Sequence, residues 1–392
     1  MKNIILPVSV ISKCLTACVS LIILLFLSCQ GRNTQNNIDQ ISESQVIKLA
    51  RGLSIEKHDN YSVVTVKNPW QGAEDISMVY YLVRKGSVNP LGIDSGQVIF
   101  VPLTGIICMS TTHIGMISAL GEGNTIKGLS GTDFIYSPEI IKRVEKGLID
   151  EVGYETNLNK ELIIRISPDL VMIYGIGSES AGHVNKIRDL GISVMFNADY
   201  LETDPLAKAE WIKLFGALYC KEEMADSIFH AEVAEYNQIR EFVIKNSDER
   251  PEVLLGLPFK DTWFISPGNS FVSKLIEDAG GNYLWKNTSS AFSMPYSLES
   301  VYIAALDADF WLNIGTVKSS EEISIVDKRL TDLKCFRDRN LYNNNNRITS
   351  RGGNDYWESG ALRPHIILKD VAAILHPDIY PGYELFYYQR IN

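Results

Sequence analysis

The rhythm of apolar and polar positions changes along this chain, and each change predicts a different layer of structure. Residues 61–66 and 76–83 are β-branched and aromatic runs bounded by Asn68-Pro69 and Lys85-Gly86, which predicts a small antiparallel unit over 61–102. From Ile106 onward, short apolar runs at 106–109, 170–174 and 192–196 alternate with helical patterns such as 185–190. That alternation predicts parallel strands linked by crossover helices. Pro205 opens a long helical tract to about Asn246, with a possible break near Tyr219-Cys220. Within it, Ile228, Phe229, Val233, Tyr236, Ile239 and Val243 recur at steps of three and four, one apolar stripe on a long helix. After Pro251 a second alternating set begins, with strands at 253–255, 263–265 and 310–314 and helices at 271–279 and 363–375. The pattern predicts an α/β fold: two Rossmann-like lobes joined by one long α-helix, with a small N-terminal β extension.

The start of the chain follows another logic. An apolar core of 15 residues, 14–28, ends in Leu27-Ser28-Cys29 and is followed by the polar Gln30-Gly31-Arg32-Asn33. A span needs about 20 apolar residues, so this run fits an export leader cleaved before a lipid-bearing Cys29. The alternative is an uncleaved single-span anchor over 4–29, which Lys13 interrupts. Either form holds the rest of the chain at a membrane, outside the cytoplasm. The expected organisation is a leader at 1–28, a lipidated cysteine and tether at 29–60, a first lobe with its β extension at 61–220, a bridging helix at 221–250 and a second lobe at 251–392.

Composition narrows the function classes. With 392 residues, 45% hydrophobic and 21% charged, the chain is long enough for two cored lobes. The net charge of −10 becomes −12 when Lys2 and Lys13 leave with the leader, which argues against nucleic acid or anionic lipid as a partner. Of six cysteines, Cys14 and Cys18 fall in the leader and Cys29 carries the lipid, leaving Cys108, Cys220 and Cys335. Buried reduced thiols are expected, with one bridge plus one free thiol as the alternative. No Cys-x-x-Cys or His-x-His occurs to signal a metal or redox motif. The run 343–346 of four asparagines reads as a surface loop.

Several blocks, taken in order, carry a family resemblance: Cys108-Met109-Ser110-Thr111-Thr112-His113, Ala119-Leu120-Gly121, Gly153-Tyr154-Glu155-Thr156-Asn157, Ser167-Pro168-Asp169-Leu170-Val171, Ala279-Gly280-Gly281, Tyr296-Ser297-Leu298-Glu299 and His376-Pro377. Their order and spacing resemble the helix-bridged (class III) substrate-binding lipoproteins of ABC importers for cobalamin, ferric siderophores and haem. The resemblance covers the chain from about Pro102. The extension with Pro69-Trp70-Gln71-Gly72 looks like that of Bacteroidetes-type members.

The resemblance implies a periplasm-facing, lipid-anchored monomer whose partners are an ABC permease and ATPase and whose ligand is an organometallic small molecule, with no cofactor of its own. It gives Glu161 and Glu299 the role of permease docking, one per lobe; each also suits a helix start stabilised by the macrodipole. Open α/β sheets bind ligands at the carboxyl ends of their strands, and aromatics cluster there: Tyr154, Tyr174, Tyr200, Trp263, Trp285, Tyr296, Tyr356 and Trp357. By resemblance Tyr154, Tyr174, Trp263 and Tyr296 match cleft aromatics of cobalamin-binding relatives, so cobalamin is favoured over a ferric siderophore or haem. The segment from Arg351 through Asn354 to Tyr356 and Trp357 reads as a cleft loop, Arg351 being suited to a carboxylate-bearing ligand. His113 follows a strand directly; it is expected as a first-turn helix histidine, with contact to a chelate as the alternative.

Other readings are weaker. Gly175-Ile176-Gly177 lacks the third glycine of a dinucleotide loop, and no Gly-x-Ser-x-Gly, His-Glu-x-x-His or Walker loop occurs, so no enzyme is expected. Free zinc or manganese capture would need converging His and carboxylates, and a surface adhesin would not need the paired glutamates. One rigid helix between the lobes predicts a small closure around a largely preformed cleft.

Overall fold

A computed structural model describes residues 46–87, 97–154, 157–175 and 179–392. The expected leader and Cys29 lie outside the described residues. Among the described residues no helix is long and apolar enough to cross a membrane.

Strands β1 (Leu53–Lys57), β2 (Tyr61–Lys67), β3 (Ser77–Arg84) and β4 (Val98–Val101) form one sheet in that order. The first three pair antiparallel, whereas β4 runs parallel to β3, from Tyr81↔Val98 to Arg84↔Val101. The expected antiparallel unit is therefore a mixed sheet. Its physical reason is the exit: a parallel β4 passes through Leu103 directly into the next lobe. Alternate residues Val64, Val66, Tyr80, Leu82, Ile99 and Val101 are buried in the same core as the first lobe. The Tyr80 hydroxyl accepts the Phe196 N–H at 3.2 Å, which ties the sheet to that lobe.

The first lobe contains β5 (Ile106–Cys108), α1 (Thr111–Ala119), β6 (Ile126–Leu129), α2 (Pro138–Glu145), β7 (Asp150–Glu151), α3 (Lys160–Ile166), β8 (Leu170–Ile173), α4 (Glu179–Arg188) and β9 (Val194–Phe196). Its sheet is parallel throughout, in the order β7-β6-β5-β8-β9. Strands β5, β8 and β9 are buried along their length and β6 at all but Lys127, as a sheet covered on both faces requires. His113 lies fully buried in α1, its ring 6.3 Å from that of Phe215. Burial pushes its pKa down to about 3, so it is a neutral core residue rather than a contact for a chelate.

Three helices follow: α5 (Pro205–Glu210), α6 (Ile212–Tyr219) and α7 (Glu222–Asn246). The chain breaks at Cys220, whose φ of 54° ends α6. The bridging helix α7 spans 25 residues and buries Phe229, Tyr236, Ile239 and Val243 from the expected stripe. Its first half meets the core of the first lobe and its second half that of the second.

The second lobe contains β10 (Glu252–Leu255), β11 (Thr262–Ile265), α8 (Phe271–Asp278), β12 (Asn282–Tyr283), β13 (Met294–Ser297), α9 (Leu298–Ala304), β14 (Phe310–Leu312), α10 (Ser320–Val326), α11 (Lys334–Arg337), β15 (Leu341–Asn343), α12 (Asp355–Glu358), α13 (Pro364–Leu375) and β16 (Gln389–Arg390). Its main sheet runs β12-β10-β14-β15-β16, parallel except for the last strand. Strands β11 and β13 form a separate antiparallel ribbon. Helix α13 packs along α7, where the His365 ring nitrogen meets the Glu232 carboxylate. The architecture is thus two α/β lobes joined by one long helix, with a β extension on the first.

The asparagine run departs from expectation. Asn343, Asn344 and Asn345 are buried, not a surface loop. Asn343 Nδ2 donates to the carbonyls of Gly315 and Val317 at 3.0 and 3.2 Å, and Asn346 Nδ2 donates to those of Leu385 and Phe386. Short amides here satisfy carbonyls that an apolar residue would leave orphaned. Among the described residues Cys108 and Cys335 are buried free thiols and Cys220 a half-buried one.

Candidate ligand-binding cleft

A cavity of about 660 Å³ opens between the lobes. It has three contributors. The turn between β2 and β3 supplies Asn68, Trp70, Gln71 and Gly72; the first lobe supplies Tyr200, Glu202 and Lys208; the second lobe supplies Ser266, Asn269, Phe271, Phe292, Asn313, Tyr356 and Trp357. Among the described lining residues Lys208 is the only cation, and none is a histidine, cysteine or methionine.

Each wall has a local cause. Trp70 pairs its backbone with Gly175 and sets its ring 5.5 Å from that of Phe196, so the turn is rooted in the first lobe. Gly72 has φ +81°, a conformation that favours glycine, and a Cβ there would stand 3.1 Å from Phe292 Cζ. The Gln71 N–H donates to the Tyr200 hydroxyl at 3.2 Å, and that hydroxyl donates in turn to the Gly175 carbonyl. Buried Glu202 accepts the N–H groups of Arg51 and Gly52 and the Trp211 indole N–H, so its charge is spent on the scaffold. Burial pushes the Asp199 carboxyl above its usual range, an effect Lys208 opposes. Lys208 Nζ lies 5.6 Å from the centre of the Phe271 ring on α8. Asn354 caps α12 by accepting the Tyr356 N–H, which orients Tyr356 edge-on to Trp357 and leaves Trp357 54% exposed at the cavity.

The sequence-derived candidates divide sharply. Tyr356 and Trp357 line the cavity, as does Tyr200 from the wider aromatic set. Asn354 positions those two and donates to the Asn344 carbonyl, without lining the cavity itself. Trp263 is fully buried, its indole N–H given to the Leu255 carbonyl and its ring 5.7 Å from Trp311. It is a core residue because on the β11–β13 ribbon it faces inward while Phe264 faces out. Tyr296 pairs opposite it on β13, 6.2 Å from Trp285. Tyr174 stands edge-on behind Tyr200 at 6.5 Å. Tyr154 is half exposed beside Gly131 and Phe134. Arg351 reaches across to Asp133 of the first lobe at 3.6 Å, both side chains exposed. None of Tyr154, Tyr174, Trp263, Tyr296 and Arg351 lines the cavity.

Glu161 and Glu299 occupy matched positions: each is exposed and is the second residue of its helix, behind an Asn159 cap on α3 and a Ser297 cap on α9. Glu299 is held below the usual carboxylate range by its helix-start backbone N–H and by Arg329, 3.2 Å away. The lining residues that sequence reasoning missed include Asn68, Trp70, Gln71, Lys208, Asn269, Phe271, Phe292 and Asn313. Among the missed lining residues, Trp70, Gln71 and Gly72 had a signal, as part of Pro69-Trp70-Gln71-Gly72 in the extension.

Beside the cavity the lobes are closed by a tight seam. The Glu358 carboxylate accepts the N–H groups of Tyr136 and Ser137 at 2.7 and 2.9 Å, across 222 and 221 positions. Burial pushes its pKa up to about 7, against the lowering effect of those two bonds. A Cβ on Gly115 would overlap the Glu358 carbonyl oxygen, and one on Gly353 would overlap that of Ile135.

Comparison with known proteins agrees with this architecture. No family model matches the chain. An uncharacterized lipoprotein of Methanocaldococcus jannaschii is 27% identical over 387 residues, covering 92% of this chain and 88% of its own. Among solved structures, a periplasmic haem-binding protein from Pseudomonas aeruginosa superposes with a TM-score of 0.56 at 15% identity, covering 74% of this chain and 98% of its own. The periplasmic vitamin B12 binding protein of Vibrio cholerae gives 0.50 at 15% identity, covering 72% and 99%. The chain has the fold of periplasmic solute-binding proteins.

Proposed function

We propose that this chain is the ligand-capturing lipoprotein of an ABC importer, anchored through Cys29 and facing the periplasm. It takes up an organometallic chelate, cobalamin by preference, and presents it to a permease and its ATPase without doing chemistry on it. The observation that supports this most is the make-up of the cavity. Phe271, Phe292 and Trp357 offer aromatic faces backed by the buried Trp70 and Tyr356, while Asn68, Gln71, Asn269, Asn313 and several serines offer amide and hydroxyl groups. An amide-fringed macrocycle with few charges matches such a lining. The lipoprotein relative supports the anchor, and the vitamin B12 and haem-binding neighbours support the ligand class.

A ferric siderophore or haem is the second reading, favoured by the haem-binding neighbour. It fits less well, because a dipropionate or a polyanionic iron chelate calls for more than Lys208, the one cation among the described lining residues. Calorimetric titration of a soluble chain beginning at Asn33 with cyanocobalamin, beside haem and a ferric siderophore, tests the assignment. One-to-one cyanocobalamin binding tighter than the other two is expected. Tighter binding of an iron chelate moves the ligand to the second reading, and silence with all three overturns the function and reopens the adhesin and metal-ion readings.

Permease docking through Glu161 and Glu299 is part of this proposal, supported by their matched exposed positions. Glu161→Ala combined with Glu299→Ala abolishes cellular uptake while calorimetric affinity stays that of the wild type; normal transport by the double variant removes the role.

A further inference from the structure

We infer that residues 68–73, the tip of the N-terminal sheet, form a third wall of the ligand site that clamps both lobes over a bound ligand, with Gln71 as the clamp's hold on the second lobe. This rests on the binding function proposed above and identifies the part of the chain that regulates release from that site.

The tip is rigid at its root. It joins β2 and β3, which pair over seven positions from Tyr61↔Val83 to Lys67↔Ser77, and Trp70 is 7% exposed between Gly175 and Phe196. Its outer end crosses to the other lobe. Gln71 Nε2 donates to the Ala291 carbonyl at 3.3 Å, across 220 positions, and Gly72 faces the Phe292 ring. The receiving loop is itself ordered by local bonds: Asn269 Oδ1 accepts the Ser290 N–H at 3.1 Å, and Ser290 Oγ accepts the Phe292 N–H at 3.0 Å. Two built surfaces therefore meet through one long, exposed hydrogen bond and one glycine–aromatic contact.

Such a contact is weak alone, since a net hydrogen bond contributes a factor of about five and less when exposed. What makes it a clamp is that both sides line the cavity: Trp70, Gln71 and Gly72 on one, Ser290, Ala291 and Phe292 on the other. A ligand that touches both sides binds the closed arrangement better than the open one, and by that difference it shifts the contact toward closure. The same ligand leaves only when the contact opens, so Gln71 acts on the dissociation rate more than on the association rate.

Hydrogen-exchange mass spectrometry on the soluble chain tests this, with and without cyanocobalamin, on wild type and Gln71→Ala. Bound cyanocobalamin is expected to slow amide exchange at both 68–73 and 290–293. Gln71→Ala is expected to speed ligand dissociation by about two- to three-fold, to speed exchange at 290–293 in the unliganded protein, and to leave the melting midpoint unchanged. Gly72→Ala, which pushes on Phe292, should act in the same direction. Cyanocobalamin that binds without protecting 68–73, together with an unchanged dissociation rate in both variants, overturns the clamp. If the wild type binds no probe, the proposed function fails separately, and the clamp is then decided by the unliganded protein: unchanged exchange at 290–293 in Gln71→Ala overturns it, and faster exchange supports it.

Discussion

The two lobes meet at two places that are built in opposite ways. At the seam, backbone lies on backbone: Gly115 and Gly353 leave no room for a Cβ, Glu358 accepts two N–H groups from the facing loop, and Ala361 and Leu362 of the second lobe belong to the core of the first. At the cavity mouth, the lobes touch through Gln71 and Ala291, with Phe292 and Trp357 of the second lobe half exposed. Close packing transmits strain and resists change, whereas an exposed bond opens at little cost. The difference teaches that motion belongs to the mouth and stability to the seam.

The sharpest way to break this comparison is to force a side chain into the seam. Gly353→Ala places a methyl group against the Ile135 carbonyl, and such overpacking costs about 3 kcal/mol. Denaturant unfolding should show a loss of that size; a variant as stable as the wild type would mean that the seam is loose. At the mouth the opposite balance is expected. Trp357→Ala removes an exposed aromatic face, so it should weaken ligand binding by about ten-fold with little change in the unfolding midpoint. A large stability loss with unchanged affinity would place Trp357 on the structural side of the comparison.

The smallest expected effect is a pH slope. Burial raises the Glu358 carboxyl from 4.5 to about 7, so the folded chain holds its proton more tightly than the unfolded chain does. The stability this group contributes is therefore fully present below about 4.5 and is lost as pH rises through about 7. Glu358→Gln removes that slope. The melting midpoint of the wild type should fall relative to the variant across the window, and parallel curves would show that Glu358 does not titrate with folding.

How far the sequence could be read depended on the range of each signal. Alternation placed Trp263-Phe264-Ile265 in a strand, but Trp263 became a core residue, because which face of a two-stranded ribbon is buried is decided by what packs on it. The four asparagines at 343–346 read as solvated because composition was the only cue. Three of them are buried because the carbonyls of Gly315 and Val317, and the Gln389 amide, supply partners from other segments. Tyr356 and Trp357 were legible as part of a cleft loop because glycines and polar residues precede them; the structure places them on the short helix α12 instead. Phe292 carried no signal of its own.

By itself the sequence determined the two alternating α/β sets, the long amphipathic helix between them and its break at Cys220. These follow from side-chain period and local backbone preference, which act over a few residues. Only the tertiary structure decided that residues 68–73 of the extension reach Ala291 and Phe292, and that Glu358 seals the loop at Tyr136. Those contacts join segments some 220 positions apart, and no local preference encodes them: they arise when both lobes bury their cores against one bridging helix and so bring their loops face to face.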